Sequence, residues 1–460
     1  MLRASLQAVF VLAAGVLLYW LWRRYVAGSR LRWIVALGFA GRAIAGQLLF
    51  WISWARLPFA RGLQEGNGLW AFALDAKSYL AWAGRVAHEG PLAVVLYQRP
   101  LPAPRYVQTL AAFMFFFGDV ATVGLLLNLF AYLGVAIFIL RWDARAMRRE
   151  GERWSPATLA LLAVSFSPSA VLWSFQPLKD TFMQFAMVAF FASALLWERA
   201  WMAIGRDGAI VSAAAAMVGA MFLASGVRWY VGFVGLAAGL LFFLLIGLSI
   251  RTSKLKYGAM TFVVLFSLSQ AFRIGGYTDV PWVLSRVANP AGIATTVSRL
   301  PQFLFGYVGT VRGNFARAGG ATVIHAPKTD GAAPAHSANV TASVAAVFVP
   351  SAVAMRMGLL DIGGGRGLLW VTDIDTFLFD ACLVAAIVLI VRRWRADALR
   401  NPLFWLVTLT TLLLSVPLAY AIVNFGTLFR LRVMMLTGVV LVPLALVTRA
   451  SQPGGGGSVE

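Results

Sequence analysis

"YVGFVGLAAGLLFFLLIGLS", residues 230–249, runs for twenty residues without a charge or a proline. At about 1.5 Å of rise per residue a helix of this length covers roughly 30 Å, the thickness of a bilayer's hydrocarbon core. In lipid every backbone N–H and C=O has to find its partner inside its own segment, so a single run of this kind is read as a helix. Comparable runs recur at 5–22, 33–53, 119–140, 157–173, 181–198, 209–226, 259–273, 372–391, 403–423 and 433–448. The expected fold is an all-α polytopic membrane protein of about 11 transmembrane helices.

Composition agrees. The 460 residues are 60% hydrophobic and 12% charged, against about 25% charged in an average soluble domain. The net charge of +21 would point to nucleic acid in a soluble chain. Here the basic residues gather in short loops beside the apolar runs, which is the positive-inside pattern, and no nucleic-acid partner is expected. Basic residues dominate the set of loops at 23–32, 141–154, 198–208, 251–258 and 392–400, and all five share one side if eleven helices alternate. That side is expected to be the cytoplasm. The other side then receives two large extracytoplasmic segments, 54–118 and 274–371. Residues 1–450 are expected to form one transmembrane domain and 451–460, rich in glycine, a flexible tail. The first apolar segment lacks a small-residue cleavage site and is read as a retained helix.

Cysteine and metal chemistry find little footing. Cys382 is the one cysteine, and His88, His325 and His336 are scattered without metal-ligand spacing. No cofactor is indicated; a divalent metal stays open, though no ligand cluster is evident. "DIGGGRG" (361–367) follows no strand–loop–helix pattern, so it is read as a flexible run and not a phosphate loop.

The polar residues that need a reason lie mostly at the outward side. "WAFALDAKSYLAWAGRV" (70–86) sets Asp75 and Tyr79 four residues apart, on one face of a helix, with Lys77 and Arg85 projecting elsewhere. A solvated interfacial face would explain them. So would a carboxylate that accepts a proton from an acceptor hydroxyl, with apolar neighbours around it. "FSPSAVLWSFQPLKDTFMQF" (166–185) breaks an apolar run at two prolines and sets Lys179–Asp180 at the outer end of a span. Asp180 suits a helix amino end, and Lys179 offers a point charge to a phosphate. "SGVRWYVG" places Arg228 in a short outward turn, and "NFGTLFRLRVMM" places Arg430 and Arg432 in another before the last span. Neither turn holds an acid, and basic residues are disfavoured on that side, so an anion is expected there. Arg42, inside a span, is expected to pair, with Asp380 as the partner. Residues 106–118 read as a short surface or re-entrant helix.

Taken together, "LDAKSYLAWA", "SPSAVLWSFQPLKD", "VRWYVG" and "NFGTLFRLR" resemble the polytopic C-type membrane glycosyltransferases, which use polyprenyl-phosphate-linked sugars, in particular those of bacterial cell-surface polysaccharide assembly. The resemblance implies a location in the bacterial cytoplasmic (inner) membrane and three partners: a polyprenyl-phosphate-linked sugar donor, a glycan or lipid acceptor, and membrane lipids. It implies that Asp75, matching the acid of the family's first outward loop, activates the acceptor. Many members carry two adjacent acids in this loop, or an acid beside His; here Ala76 follows Asp75 and Glu65 lies ten residues earlier. The implied substrate-binding set is Tyr79, Lys179, Asp180, Arg228, Asn424, Arg430 and Arg432, with inversion at the anomeric carbon.

Two rival readings share the same layout. A surface-polysaccharide polymerase or ligase would use a lipid-pyrophosphate-linked glycan, gripped by Arg286, Arg299 and Arg312 of the later segment. A non-enzymatic transporter or assembly partner for a lipid-linked glycan would be expected to show inverted internal repeats, and none is visible.

Overall fold

The structure is a computed structural model that describes residues 2–26, 31–96, 101–142, 155–202, 207–250, 253–276, 306, 309–310, 324–325, 342, 344–359, 361–362, 369–394, 400–421 and 425–449. Most of the later segment 274–371 lies outside the described residues, as do Asn424, Arg286, Arg299, Arg312 and the tail 451–460.

Sixteen helices are labelled here: α1 (Leu2–Val26), α2 (Arg32–Trp54), α3 (Leu74–His88), α4 (Pro91–Leu96), α5 (Pro104–Phe117), α6 (Thr122–Trp142), α7 (Pro156–Phe166), α8 (Pro168–Leu172), α9 (Asp180–Met202), α10 (Asp207–Val227), α11 (Trp229–Ser249), α12 (Lys254–Gly276), α13 (Ser351–Arg356), α14 (Leu369–Arg393), α15 (Pro402–Ala421) and α16 (Phe425–Arg449). Among the described residues ten helices are long and apolar enough to cross a membrane, and α7 with α8, bent by 52°, makes an eleventh if taken as one broken span. The protein is an all-α, multi-pass membrane protein. Ser167 and Pro168 sit at the break, and Pro168, the first residue of α8, has no N–H with which to continue the ladder of α7.

α9 and α16 form the centre. Each is 89% buried over its apolar stretch, the highest share of any span. α9 packs on α6, α10, α15 and α16, and α16 on α7, α8, α14 and α15. One turn into α9, Gln184 Nε2 donates to Thr437 Oγ1 at 2.8 Å, a buried polar contact that joins the two helices.

Helix ends meet in two sets. At one end Arg199 donates to the Trp142 carbonyl at 3.4 Å, Lys256 pairs with Asp207 at 2.7 Å, and Asn401 donates to the Ala445 carbonyl at 2.9 Å. At the other end lie the start of α3, the start of α9, the α10–α11 turn and the start of α16, as alternation of eleven spans requires.

The segment 54–118 folds onto this second end. It begins with a hairpin, β1 (Gln64–Gly66) against β2 (Leu69–Trp70), which the hydrophobic pattern does not predict. Gly66, Asn67 and Gly68 all have positive φ, and a Cβ at Gly68 would lie 2.2 Å from the Phe50 ring, so the tight turn sits directly on α2. Ser53 Oγ and Trp70 Nε1 complete the join through the Leu69 and Leu49 carbonyls. The expected short helix at 106–118 is α5, which packs against α3, α6 and α10 with Tyr106, Val107, Leu110 and Ala111 fully buried. Farther along, Ile324–His325 (β3) pairs antiparallel with Asp361–Ile362 (β4).

Candidate functional site: a cation-rich cluster at one end of the bundle

The turn 173–179 is what carries Lys179 and Asp180 into place. Pro168 starts a short helix, Pro177 stops the chain from continuing it, and α9 begins afresh at Asp180. Asn128 Nδ2 of α6 holds the turn by donating to the Ser174 and Gln176 carbonyls at 3.1 and 2.7 Å. Gly124 lets α6 come this close: a Cβ there would lie 2.3 Å from Pro177 Cβ.

Asp180 is the hub. Its side chain is 5% exposed and stands at the amino end of α9, where the helix dipole favours a negative charge. Oδ1 accepts from Arg228 Nη2 at 2.7 Å, and Oδ2 accepts from Arg430 Nε. Arg228 also donates through Nη1 to the Tyr230 hydroxyl at 2.9 Å. Arg430 reaches outward as well, and its Nη1 donates to Asp75 Oδ2 at 2.5 Å. One guanidinium therefore bridges a buried and a surface carboxylate that are 105 residues apart in sequence. Such an arrangement satisfies a buried charge with charge-assisted hydrogen bonds, the condition for burying it at all.

Tyr79 and Lys179 make the wall. Lys179 Nζ lies 5.4 Å from the Tyr79 ring centre, within cation–π range, and enters no ion pair within 4 Å among the described residues. Tyr79 meets Tyr106 edge to face with ring centres 5.3 Å apart. Burial pushes the Tyr79 phenol up to about 12, with Arg430 pulling it the other way. Burial, together with the Arg228 and Arg430 guanidinium groups, pushes the Lys179 ammonium down to about 7. Burial also holds the Tyr106 phenol well above its ordinary range.

Three buried donors at the cluster have no hydrogen-bond partner among the described residues: Arg430 Nη2, Arg228 Nε and the Tyr106 hydroxyl. A buried donor left unmet costs about 1–3 kcal/mol, more when charged, so these atoms call for an acceptor. Lys179, Arg228 and Arg430 face Asp75 and Asp180, so the cluster carries an excess of one positive charge when Lys179 holds its proton.

Of the residues expected at the site, Asp75, Tyr79, Lys179, Asp180, Arg228 and Arg430 come together here. Arg432 does not. It lies inside α16, not in a turn before it, and faces away from Arg430 because residues two apart on a helix point in nearly opposite directions. Its Nη1 donates to Asp375 Oδ2 at 3.2 Å and Thr376 Oγ1 at 2.9 Å, and its Nη2 to the Ala346 carbonyl at 2.9 Å. Asp375 in turn accepts from Ser167 Oγ and the Ser169 amide at 2.8 and 2.9 Å, so this second network braces the α7–α8 break. The expected Arg42–Asp380 pair is also absent. Arg42 instead donates to the Gly38, Ser165 and Val164 carbonyls and lies 4.2 Å from the Tyr132 ring centre. Nor is Asp75 enclosed by apolar neighbours: its side chain is 57% exposed. Lys77 and Arg85 do turn elsewhere, to Glu65 and the Trp82 ring.

The acid that neither turn contains is Asp180, which partners Arg228 and Arg430 and lies too far from either turn in sequence to be read there. Tyr106 and Tyr230 are likewise site residues that local pattern does not single out. Among the described residues no three His, Cys, Asp or Glu side chains converge as metal ligands. A small apolar cleft lined by Val11, Phe39, Ala43 and Leu126 shares no residue with the cluster.

No family model matches this chain, and no curated protein or solved structure does either.

Proposed function

We propose that the protein is a membrane glycosyltransferase that moves a sugar from a polyprenyl-phosphate-linked donor to a hydroxyl of a glycan or lipid acceptor, at the extracytoplasmic face of a bacterial cytoplasmic membrane. The observation that carries this reading is the convergence of one exposed carboxylate, Asp75, with Lys179, Arg228 and Arg430 at a single end of the bundle. The excess of basic residues in the loops at 23–32, 141–154, 198–208, 251–258 and 392–400 supports this orientation.

The chemistry follows from charge. The acceptor oxygen forms a bond to the anomeric carbon as its proton passes to the Asp75 carboxylate. The bond from that carbon to the phosphate oxygen breaks on the opposite face, so the configuration inverts. The electron pair leaves with the phosphate, which goes from one negative charge to two. Lys179, Arg228 and Arg430 are placed to stabilise that added charge, and an excess of positive charge in a partly dry site makes the stabilisation larger in the transition state than in the ground state. Asp180 keeps the two arginines in position.

The test is turnover in proteoliposomes supplied with a panel of polyprenyl-phosphate hexoses and pentoses, read as release of polyprenyl phosphate. A general base contributes roughly 10²–10⁴-fold. Asp75→Asn is expected to lose about that much while inserting normally, and Asp75→Glu to keep part of the rate. Full turnover by Asp75→Asn would remove the base from the mechanism.

A further inference from the structure

Asp75 has a difficulty as a proton acceptor: it is already engaged. Its Oδ2 holds Arg430 Nη1 at 2.5 Å, so that oxygen is already occupied by a donor. Arg430 is at the same time short of partners, because its Nη2 is buried with no acceptor among the described residues. Its Nε stays on Asp180, which is itself held by Arg228, so the inner half of the bridge is fixed and only the outer half is free to change partner. Asp75 is the one exposed member, 57% against 14% for Arg430, and it covers the guanidinium from outside.

We infer that Arg430 is shared in turn between Asp75 and the ligand: a phosphate headgroup entering beside Lys179 takes Arg430 Nη1 and Nη2 together, and Asp75 is released as a proton acceptor only once that headgroup is seated. This rests on the glycosyl-transfer reading above and adds an order of events to it. The guanidinium edge fits the exchange, since Nη1 and Nη2 present two parallel donors that phosphate oxygens accept bidentately. One of the two is unmet in the free protein, so the exchange gains a hydrogen bond at Nη2 while it trades one at Nη1. The groups facing the carboxylate and the headgroup position are Tyr79 of α3, Tyr106 of α5, Lys179 of the 173–179 turn, Asp180 of α9, Arg228 and Tyr230 at the α10–α11 turn, and Arg430 of α16. Lys179 is the only cation among them with no carboxylate within ion-pair distance among the described residues, which makes it the first contact for an arriving anion. A Lys179 ammonium pushed down to about 7 gains stability from that anion, which gives entry its pull. Without a seated phosphate, Arg430 occupies the Asp75 carboxylate; with one, the acceptor meets a free carboxylate next to a bound donor.

The prediction that separates this from a merely structural ion pair is counter-intuitive: removing the catalytic carboxylate should tighten phosphate binding. Farnesyl phosphate is titrated into the full-length protein in detergent micelles, with farnesol as the uncharged control of equal chain. Asp75→Asn and Asp75→Ala are each expected to bind farnesyl phosphate about 10-fold more tightly than wild type, as one competing charged hydrogen bond is gone. In turnover they should show a lower KM along with the lost kcat. Both substitutions fall on an exposed side chain, so the packed core is untouched, and the thermal midpoint of each variant checks that it is folded. Unchanged or weaker binding in both folded variants would overturn the exchange and leave the glycosyl-transfer reading standing. Wild type binding farnesyl phosphate no better than farnesol would instead bring down the phosphate site itself, and the exchange with it.

Discussion

At the residue scale, the side chain with the most to report is Lys179. An ordinary lysine near 10.5 pushed down to about 7 binds its proton less tightly folded than unfolded. Between those values the unfolded chain holds more protons at this position, so stability from this group rises with pH across about 7 to 10.5, and the penalty is complete below 7. The same window governs ligand binding in the opposite direction, because only the ammonium attracts an anion. Wild type is therefore expected to gain thermal stability relative to Lys179→Met as pH rises from 7 to 10, with both proteins in the same detergent. Farnesyl phosphate affinity should fall over the same range in wild type and stay flat in Lys179→Met. A stability difference that does not change with pH would show that Lys179 sits in water. The lysine was visible in "QPLKD", but its unpaired state was not: that depends on Arg228 and Arg430 having claimed Asp180, which only the fold reveals.

At the scale of elements, α16 explains why one arginine of the pair works at the site and its neighbour does not. A chain read as a turn ending at residue 432 lets Arg430 and Arg432 face one ligand; a helix that starts at Phe425 rotates them about 200° apart. That distinction was legible in principle, since "FGTLFRLRVMML" continues an apolar pattern without a breaker, but the two charges obscured it. The partner of Arg432 was not legible, because Asp375 lies 57 residues upstream on a different span. The two arginines consequently predict different outcomes. Arg432 is 1% exposed and its pair with Asp375 is fully buried, so Arg432→Met leaves a buried carboxylate with Ser167 and Ser169 as its remaining donors among the described residues. A loss of about 3–5 kcal/mol is expected from breaking such a pair, measured as the equilibrium unfolding of the purified protein. Farnesyl phosphate affinity of the folded fraction should be unchanged. Weakened binding with unaltered stability would mean that Arg432 belongs to the site after all. The prolines were the better guides at this scale: they mark both the α7–α8 break and the turn that delivers Asp180.

For the whole molecule, the sequence carried most of the architecture because lipid leaves few options. Apolar runs of bilayer length had to be helices, and among the described residues ten of them, with the bent α7–α8 pair taken as an eleventh span, fit an alternation between two faces. What composition could not carry was how the 54–118 segment closes over one end: the Gly66–Gly68 turn and the burial of α5 depend on Phe50, α3 and α10, which are contacts without a periodic signal. The consequence is that orientation and function stand or fall together. If the basic loops face the cytoplasm, then Asp75, Lys179, Arg228 and Arg430 meet the extracytoplasmic leaflet, where the proposed polyprenyl-linked donor would present its phosphate. Single introduced cysteines decide this cleanly, since the native Cys382 is buried. His88 is exposed near the site end, at the close of α3, and Ser253 is exposed at the opposite end, before α12. In intact cells a membrane-impermeant maleimide is expected to label His88→Cys and to spare Ser253→Cys until the membrane is opened. Labelling of Ser253→Cys from outside would invert the protein and put the cluster in the cytoplasm. There an anionic ligand would have to be found among soluble phosphates, and a lipid-linked donor on the outer leaflet would be out of reach.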